Sequence, residues 1–187
     1  MRPPAACPRV YLAGPDLFFP DGAERYARLR ARCAALGLIA LEPADGGAGS
    51  GFSGSDDELA QRIYEGNVAL IREADGVLAH LCAFRGSEPD SGTVFEVGYA
   101  VAAGKPVVGW GVPQQSYADR VAAALPCERR ADGRVVETAS GIWVEGLGQR
   151  LNLMLSRSVE LAPTADAALE RLALRLGVGE GTRRGAG

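Results

Sequence analysis

Gly76-Val77-Leu78-Ala79-His80-Leu81, a polar loop over residues 85–92, an apolar run over 93–103 closed by Gly104, and Pro106-Val107-Val108-Gly109-Trp110: this succession decides the fold. The two flanking runs are short, apolar and bounded by Gly or Pro, which suits buried strands better than helices. The segment between them is long enough for the crossover that two parallel strands require. The same alternation runs upstream. Arg9-Val10-Tyr11-Leu12-Ala13 reads as a strand stopped by Gly14-Pro15, and residues 22–37 carry Tyr26, Leu29, Cys33 and Leu36 at helical spacing. Residues 38–41 form a short strand, and 57–74 a helix with Leu59, Ile63, Val68 and Ile71 on or near one face. Strands alternating with helices predict an α/β fold: a doubly wound, flavodoxin- or Rossmann-like parallel sheet with helices on both faces.

The chain's 187 residues suit a single domain, expected over 9–176, with a flexible start at 1–8 and a disordered tail at 177–187. Residues 44–55, rich in Gly and Ser, read as a mobile loop, and 162–176 as the last helix. The pattern over 112–141 is less regular and suits a lid or an interface. With 47% hydrophobic and 23% charged residues, a sizeable core is available. A net charge of −3 supplies no field to attract a nucleic-acid backbone. No long apolar run predicts a membrane span, and the Pro-rich start lacks the apolar core of a signal peptide. Cys7, Cys33, Cys82 and Cys127 stand far apart, so neither a disulfide framework nor a zinc site is expected, and the cytoplasm is the expected compartment. A single histidine, His80, excludes multi-histidine metal chemistry.

In open parallel sheets ligands bind beyond the carboxyl ends of the strands, which directs attention to residues 14–21, 42–56 and 82–92. The segment Asp90-Ser91-Gly92-Thr93-Val94-Phe95-Glu96-Val97-Gly98-Tyr99-Ala100 enters a helix from the last of these loops. Glu96 is the only charged residue between Asp90 and Lys105, and a position in the first helical turn would favour its ionised form. Gly92 lets another group approach the backbone, and Asp90 offers a second carboxyl group. An anionic nucleophile beside a second acid is what retaining glycosyl transfer requires. Spacing alone leaves a purely structural account open, because Thr93-x-x-Glu96 also fits a helix capping box and Asp90 a loop cap. Gly14 either admits a ligand or simply makes the turn after the first strand. Phe18, Phe19 and Tyr26 could stack on a flat ring or serve as core. His80, mid-strand among apolar residues, reads as a satisfied core histidine. Asn152 is one amide within the apolar run Leu151-Asn152-Leu153-Met154-Leu155, and alone it reads as the capping polar group of a core strand or helix. The segment Tyr11 to Asp16 is not a G-x-G-x-x-G fingerprint, and no P-loop pattern occurs.

Four blocks, in order, resemble the nucleoside 2-deoxyribosyltransferases. They are Val10-Tyr11-Leu12-Ala13-Gly14-Pro15 with residues 18–21; Asn67 through Ala74-Asp75; Phe84-Arg85-Gly86 with Asp90-x-Gly92-Thr93-x-x-Glu96-x-Gly98-Tyr99-Ala100; and Asn152-Leu153-Met154. The resemblance implies the doubly wound sheet and a double displacement without metal or cofactor. Glu96 would match the nucleophile that holds 2-deoxyribose covalently, Asp90 the acid facing the leaving base, and Tyr11 the tyrosine set against the nucleophile. Gly14, Asp45, Asn67, Gly92, Asn152 and Met154 would match substrate-binding positions, with Asn152 delivered by a neighbouring subunit of a homo-oligomer. Some members carry aspartate where this chain has Asn67, which hydrogen-bonds but takes up no proton. Substrates implied are 2′-deoxynucleosides and free nucleobases. Two alternatives accompany this expectation: an N-glycoside hydrolase acting on deoxynucleosides or their 5′-monophosphates, and a non-catalytic nucleotide sensor on the same fold.

Overall fold

A computed structural model describes residues 7–43 and 51–178. Its centre is a five-stranded parallel sheet built from β1 (Arg9–Ala13), β2 (Ile39–Leu41), β3 (Gly76–His80), β4 (Val107–Trp110) and β7 (Glu160–Leu161), in the spatial order β2-β1-β3-β4-β7. The helices are α1 (Gly22–Ala35), α2 (Asp56–Glu73), α3 (Ser91–Ala102), α4 (Tyr117–Ala124), α5 (Leu153–Ser158) and α6 (Ala165–Arg175), with a single 3₁₀ turn over Pro15–Phe18. A two-stranded antiparallel hairpin, β5 (Cys127–Arg129) with β6 (Val135–Glu137), lies apart from the sheet.

The period-2 geometry of the strands sorts the core into two layers. Tyr11, Ala13, Val77 and Ala79 pack with Ile71 of α2 and with Val97 and Ala100 of α3. Val10, Leu12, Leu78 and Val108 face the other way, onto Leu29 and Cys33 of α1 and Leu169 and Leu172 of α6. Strands buried on both faces carry no polar alternation, which is why they read as continuous apolar runs. The strand order reverses between β1 and β3, where Tyr11 pairs with Val77 and Ala13 with Ala79. The loops leaving these two strands diverge there and open a crevice at the carboxyl edge.

The expected helices and strands are present, with no end shifted by more than three residues and β1 matched at both ends. The sequence pattern does not show the fifth strand, α4 or the hairpin, and leaves the run at α5 open between strand and helix: β7 has only two residues, too few to show a period. The region 112–141 holds α4 and the hairpin. Ser55 caps α2 through a reciprocal capping box with Glu58, so that part of the expected mobile loop is a defined helix start. Val178 packs against the α1/α6 layer, two residues past the expected domain end. Residues 1–6, 44–50 and 179–187 lie outside the described residues, and with them most of the expected flexible start and tail, and Asp45. No helix among the described residues is long and apolar enough to cross a membrane.

Candidate active site

Tyr11 is fully buried in β1, on the face that meets α3. Its hydroxyl donates to Glu96 Oε1 at 2.5 Å, joining positions 85 residues apart. Glu96 is half-buried and sits in the second turn of α3, not the first as its sequence position suggested, because the helix begins at Ser91. Its carboxylate therefore owes its placement to Tyr11 more than to the helix terminus. The capping-box alternative is also corrected. The cap of α3 is Asp90, whose Oδ2 accepts the Thr93 backbone N–H at 2.9 Å and the Thr93 hydroxyl at 3.0 Å. Glu96 is thus released from capping and turned toward the sheet. Both of Asp90's hydrogen bonds fall on Oδ2, and its Oδ1 accepts none among the described residues.

Gly92 occupies the second position of α3, and a Cβ there would lie 3.1 Å from Asp90 Oδ2, so a side chain would crowd the carboxylate. Gly14 makes a different close approach: a Cβ would stand 2.8 Å from His80 Cβ and 3.1 Å from Asp16 Oδ2. The side of Gly14 on which a Cβ would stand is therefore taken by the chain's own histidine. Asn67 lies half-buried on α2, the helix next to α3.

Asn152 and Met154 are not brought to Tyr11 and Glu96. Asn152 caps the short α5, its Oδ1 accepting from the Met154 N–H at 2.9 Å while its Nδ2 donates to Glu145 Oε2 at 3.2 Å. Its amide is satisfied within its own chain. Met154 is 72% exposed. Both line an open apolar groove of about 640 Å³ together with Val94, Val97, Gly98 and Val101 of α3. The groove runs along the same helix as Glu96 without including it.

Aromatic side chains gather at the crevice. Phe18, 55% exposed on the turn after β1, stacks on Phe84 from the loop after β3, with centroids 5.7 Å apart. Phe19 meets the same ring at 6.4 Å. Tyr26, by contrast, is core. Arg85 covers Phe84 at 4.8 Å and is the one non-glycine residue with positive φ among those described, a conformation that costs on the order of 1–3 kcal/mol. In the sequence Phe84 stands out only as part of the Phe84-Arg85-Gly86 motif. Its partnership with Phe18 depends on two loops meeting in space, and no periodicity encodes that. His80 is buried with its Nδ1 2.9 Å from Asp16 Oδ2 and its ring stacked on Trp110. No group of three or more potential metal ligands occurs among the described residues.

A carboxylate and a phenol are thus joined at the switch point of a doubly wound parallel sheet, and the class of enzyme, of the glycosyl transferase or hydrolase kind, follows from the family to which the chain belongs. The family comparisons narrow the class. The family model for nucleoside 2-deoxyribosyltransferase matches residues 10–154, so the chain belongs to that family. An uncharacterized protein of Schizosaccharomyces pombe is 28% identical over 169 residues, covering 85% of this chain and 80% of the relative. Among solved structures, a 2-desoxiribosyltransferase from Leishmania mexicana superposes with a TM-score of 0.68 at 26% identity, covering 89% of this chain and 97% of its own. A conserved protein from Enterococcus faecalis V583 gives 0.55 at 20% identity over 91% of this chain and 99% of its own, a likeness of fold alone.

Proposed function

We propose that the protein transfers 2-deoxyribose between nucleobases by double displacement, with Glu96 as nucleophile. The observation that carries this reading is the 2.5 Å hydrogen bond from Tyr11 to Glu96. A buried phenol aims one carboxylate of α3 at the carboxyl edge of β1, where substrates of such sheets bind. In the first step a Glu96 oxygen forms a bond to the anomeric carbon as the carbon–nitrogen bond to the base breaks. The electron pair leaves with the base, and Asp90 acts as the general acid that delivers a proton to it. In the second step a nitrogen of the incoming base attacks the same carbon, Glu96 departs as carboxylate, and the proton returns to Asp90. A 2-deoxyribosyl cation lacks the electron-withdrawing 2-hydroxyl, so these two carboxyl groups suffice for the chemistry. Phe18, exposed beside Phe84, offers a face for the base. Asn67 and the backbone at Gly14 and Gly92 would bound the sugar, and Asp45 the base.

Asn152 enters this scheme from a second subunit. Within its own chain it borders the α3 groove rather than Glu96, and the exposed Met154 beside it is suited to packing on a neighbour. Mixing Glu96→Ala with Asn152→Ala under subunit exchange should then restore activity that neither variant has alone. Nucleoside salvage in the cytoplasm is the physiological setting this chemistry suits.

The test is incubation with a deoxynucleoside and a different free base, with chromatographic identification of products. New deoxynucleoside supports transfer. Free deoxyribose alone makes the protein an N-glycoside hydrolase, and unchanged nucleoside that nevertheless binds makes it a sensor.

A further inference from the structure

One ion pair among those described has both side chains buried, His80–Asp16, and the reaction scheme above does not use it. It lies on the α1/α6 face of the sheet, opposite Glu96. Two loops are shaped around the imidazole. Besides the close approach at Gly14, a Cβ on Gly111 would stand 2.5 Å from His80 Cδ2 and 2.8 Å from Nε2. Gly111 also has φ +80, which other residues rarely adopt. Trp110 closes the remaining side, its ring 3.8 Å from the imidazole and 6° from parallel. The groups facing His80 are Asp16 from the 3₁₀ turn and Cys82 beyond β3, with Arg25 of α1 behind Asp16. Burial opposes a charge on the ring, but the hydrogen bonds with Asp16 and Cys82 and their charges prevail and raise its pKa to about 9. Burial likewise opposes ionisation of Asp16, and His80 and Arg25 outweigh it, holding its carboxyl below the ordinary aspartate value.

Asp16 passes this connection to the crevice. Its Oδ1 accepts from Arg25 at 3.2 Å, and Arg25 lies 4.2 Å over the Phe19 ring. Phe19 and its neighbour Phe18 both meet Phe84. An unbroken series of contacts thus runs from the end of β3 to the aromatic face offered to the base. We propose that His80 is a positioning residue for the nucleobase: it anchors Asp16, and through Asp16 and Arg25 fixes the 15–19 turn that presents Phe18. This inference rests on the transferase reading and adds a determinant of substrate affinity to it.

Two variants and one wild-type series test the inference. His80→Gln keeps a donor toward Asp16 without charge, and His80→Phe keeps a ring against Trp110 without a donor. The KM for deoxyadenosine should rise from wild type to Gln to Phe, by about 10- to 100-fold at the end of the series, the span expected for a displaced binding element. Saturated kcat should stay within about threefold, because uniform binding alone is lost. The wild-type series needs no substitution at His80. In a Trp143→Phe background the only indole left is Trp110, and imidazolium quenches a stacked indole. Its emission should brighten with a midpoint near pH 9, and the wild-type KM for deoxyadenosine, whose base does not titrate there, should rise in parallel. If the variants fail to fold, this series decides alone. An unchanged KM in both variants, a loss confined to kcat, or a KM that stays flat through the Trp110 transition overturns the proposal. Wild-type protein that neither binds nor converts any purine or pyrimidine deoxynucleoside breaks the transferase reading and this inference with it. Deoxyadenosine binding that is as tight in both His80 variants as in wild type breaks this inference alone.

Discussion

Glu96 and Asp16 stand at the same end of one sheet, on opposite faces, and they are held in opposite ways. At Oε1 Glu96 meets a neutral phenol, and its side chain remains half-buried beside an open crevice. Asp16 is buried between His80 and Arg25, each oxygen facing a cation. A carboxylate between two cations has its charge neutralised and its lone pairs engaged, and is suited to holding loops together. A carboxylate oriented by a phenol keeps its charge for an electrophile. Under the proposed function one sheet would thus support a reactive acid and an inert one, and the strand residues presented to them differ: Tyr11 on one face, His80 on the other.

Removing Glu96 should break this comparison most completely. Glu96→Ala should lower kcat by about 10⁴–10⁶-fold, as loss of a covalent nucleophile does. The far-ultraviolet spectrum should be unchanged, since the side chain is half-exposed. Intact mass spectrometry should show a deoxyribosyl adduct on wild type with a slow substrate and none on the variant. Wild-type turnover in Glu96→Ala would place the reactive acid elsewhere.

Asp90→Asn should follow, with a loss of about 10²–10⁴-fold on substrates whose base leaves poorly, the usual span for a general acid. An amide oxygen can still accept from Thr93, so the cap of α3 is kept and the fold with it. Substrates with an activated leaving group should be partly spared. An equal loss on both would reduce Asp90 to the capping role its contacts already give it.

Tyr11→Phe removes the hydrogen bond to Glu96 and leaves the ring in the core. The expected cost is about 10- to 100-fold in kcat/KM, from a nucleophile left less well oriented. Thermal stability should change little, because the packed ring remains. A loss as deep as that of Glu96→Ala would mean that the phenol takes part in the chemistry beyond orientation.

Much of this architecture was legible in the sequence, because the strands that position the site are buried on both faces and so appear as apolar runs. The link between Tyr11 and Glu96 was reached by resemblance, since nothing in local spacing relates positions 85 residues apart. The start of α3 was misplaced because Thr93-x-x-Glu96 and Asp90-x-x-Thr93 are both plausible caps, and only the tertiary pull of Tyr11 on Glu96 decides between them. His80 read as a core histidine because its neighbours in sequence are apolar. Its partner Asp16 is 64 residues away and is brought beside it by the pairing of β1 with β3. Asn152 reads from its neighbours as the capping polar group of a core strand or helix, and the structure settles on the helix: it begins α5, where its amide is satisfied locally.

The smallest expected effect concerns stability and tests the inert member of the pair. The folded pKa of His80, about 9, lies above its unfolded value of 6.5. The folded state therefore holds a proton that the unfolded chain releases, and stability falls as pH rises between these values. The contribution is fully present below about 6.5 and is lost as pH rises through about 9. Asp16 behaves in the opposite sense: its carboxyl is lowered from 3.8, so its share is present above that value and disappears as pH falls below it. Together they make a plateau between about pH 4 and 6.5, with the alkaline descent worth on the order of 2–3 kcal/mol for a buried pair. Calorimetric scans from pH 6 to 10 should show Tm declining through this range in wild type and a distinctly shallower decline in His80→Gln, which has no proton to lose. Tyr11→Phe should follow the wild-type curve, because its face of the sheet does not share the pair. Parallel curves for wild type and His80→Gln would mean that His80 is uncharged when folded, and the contrast between a neutralised and a reactive carboxylate would then rest on Arg25 alone.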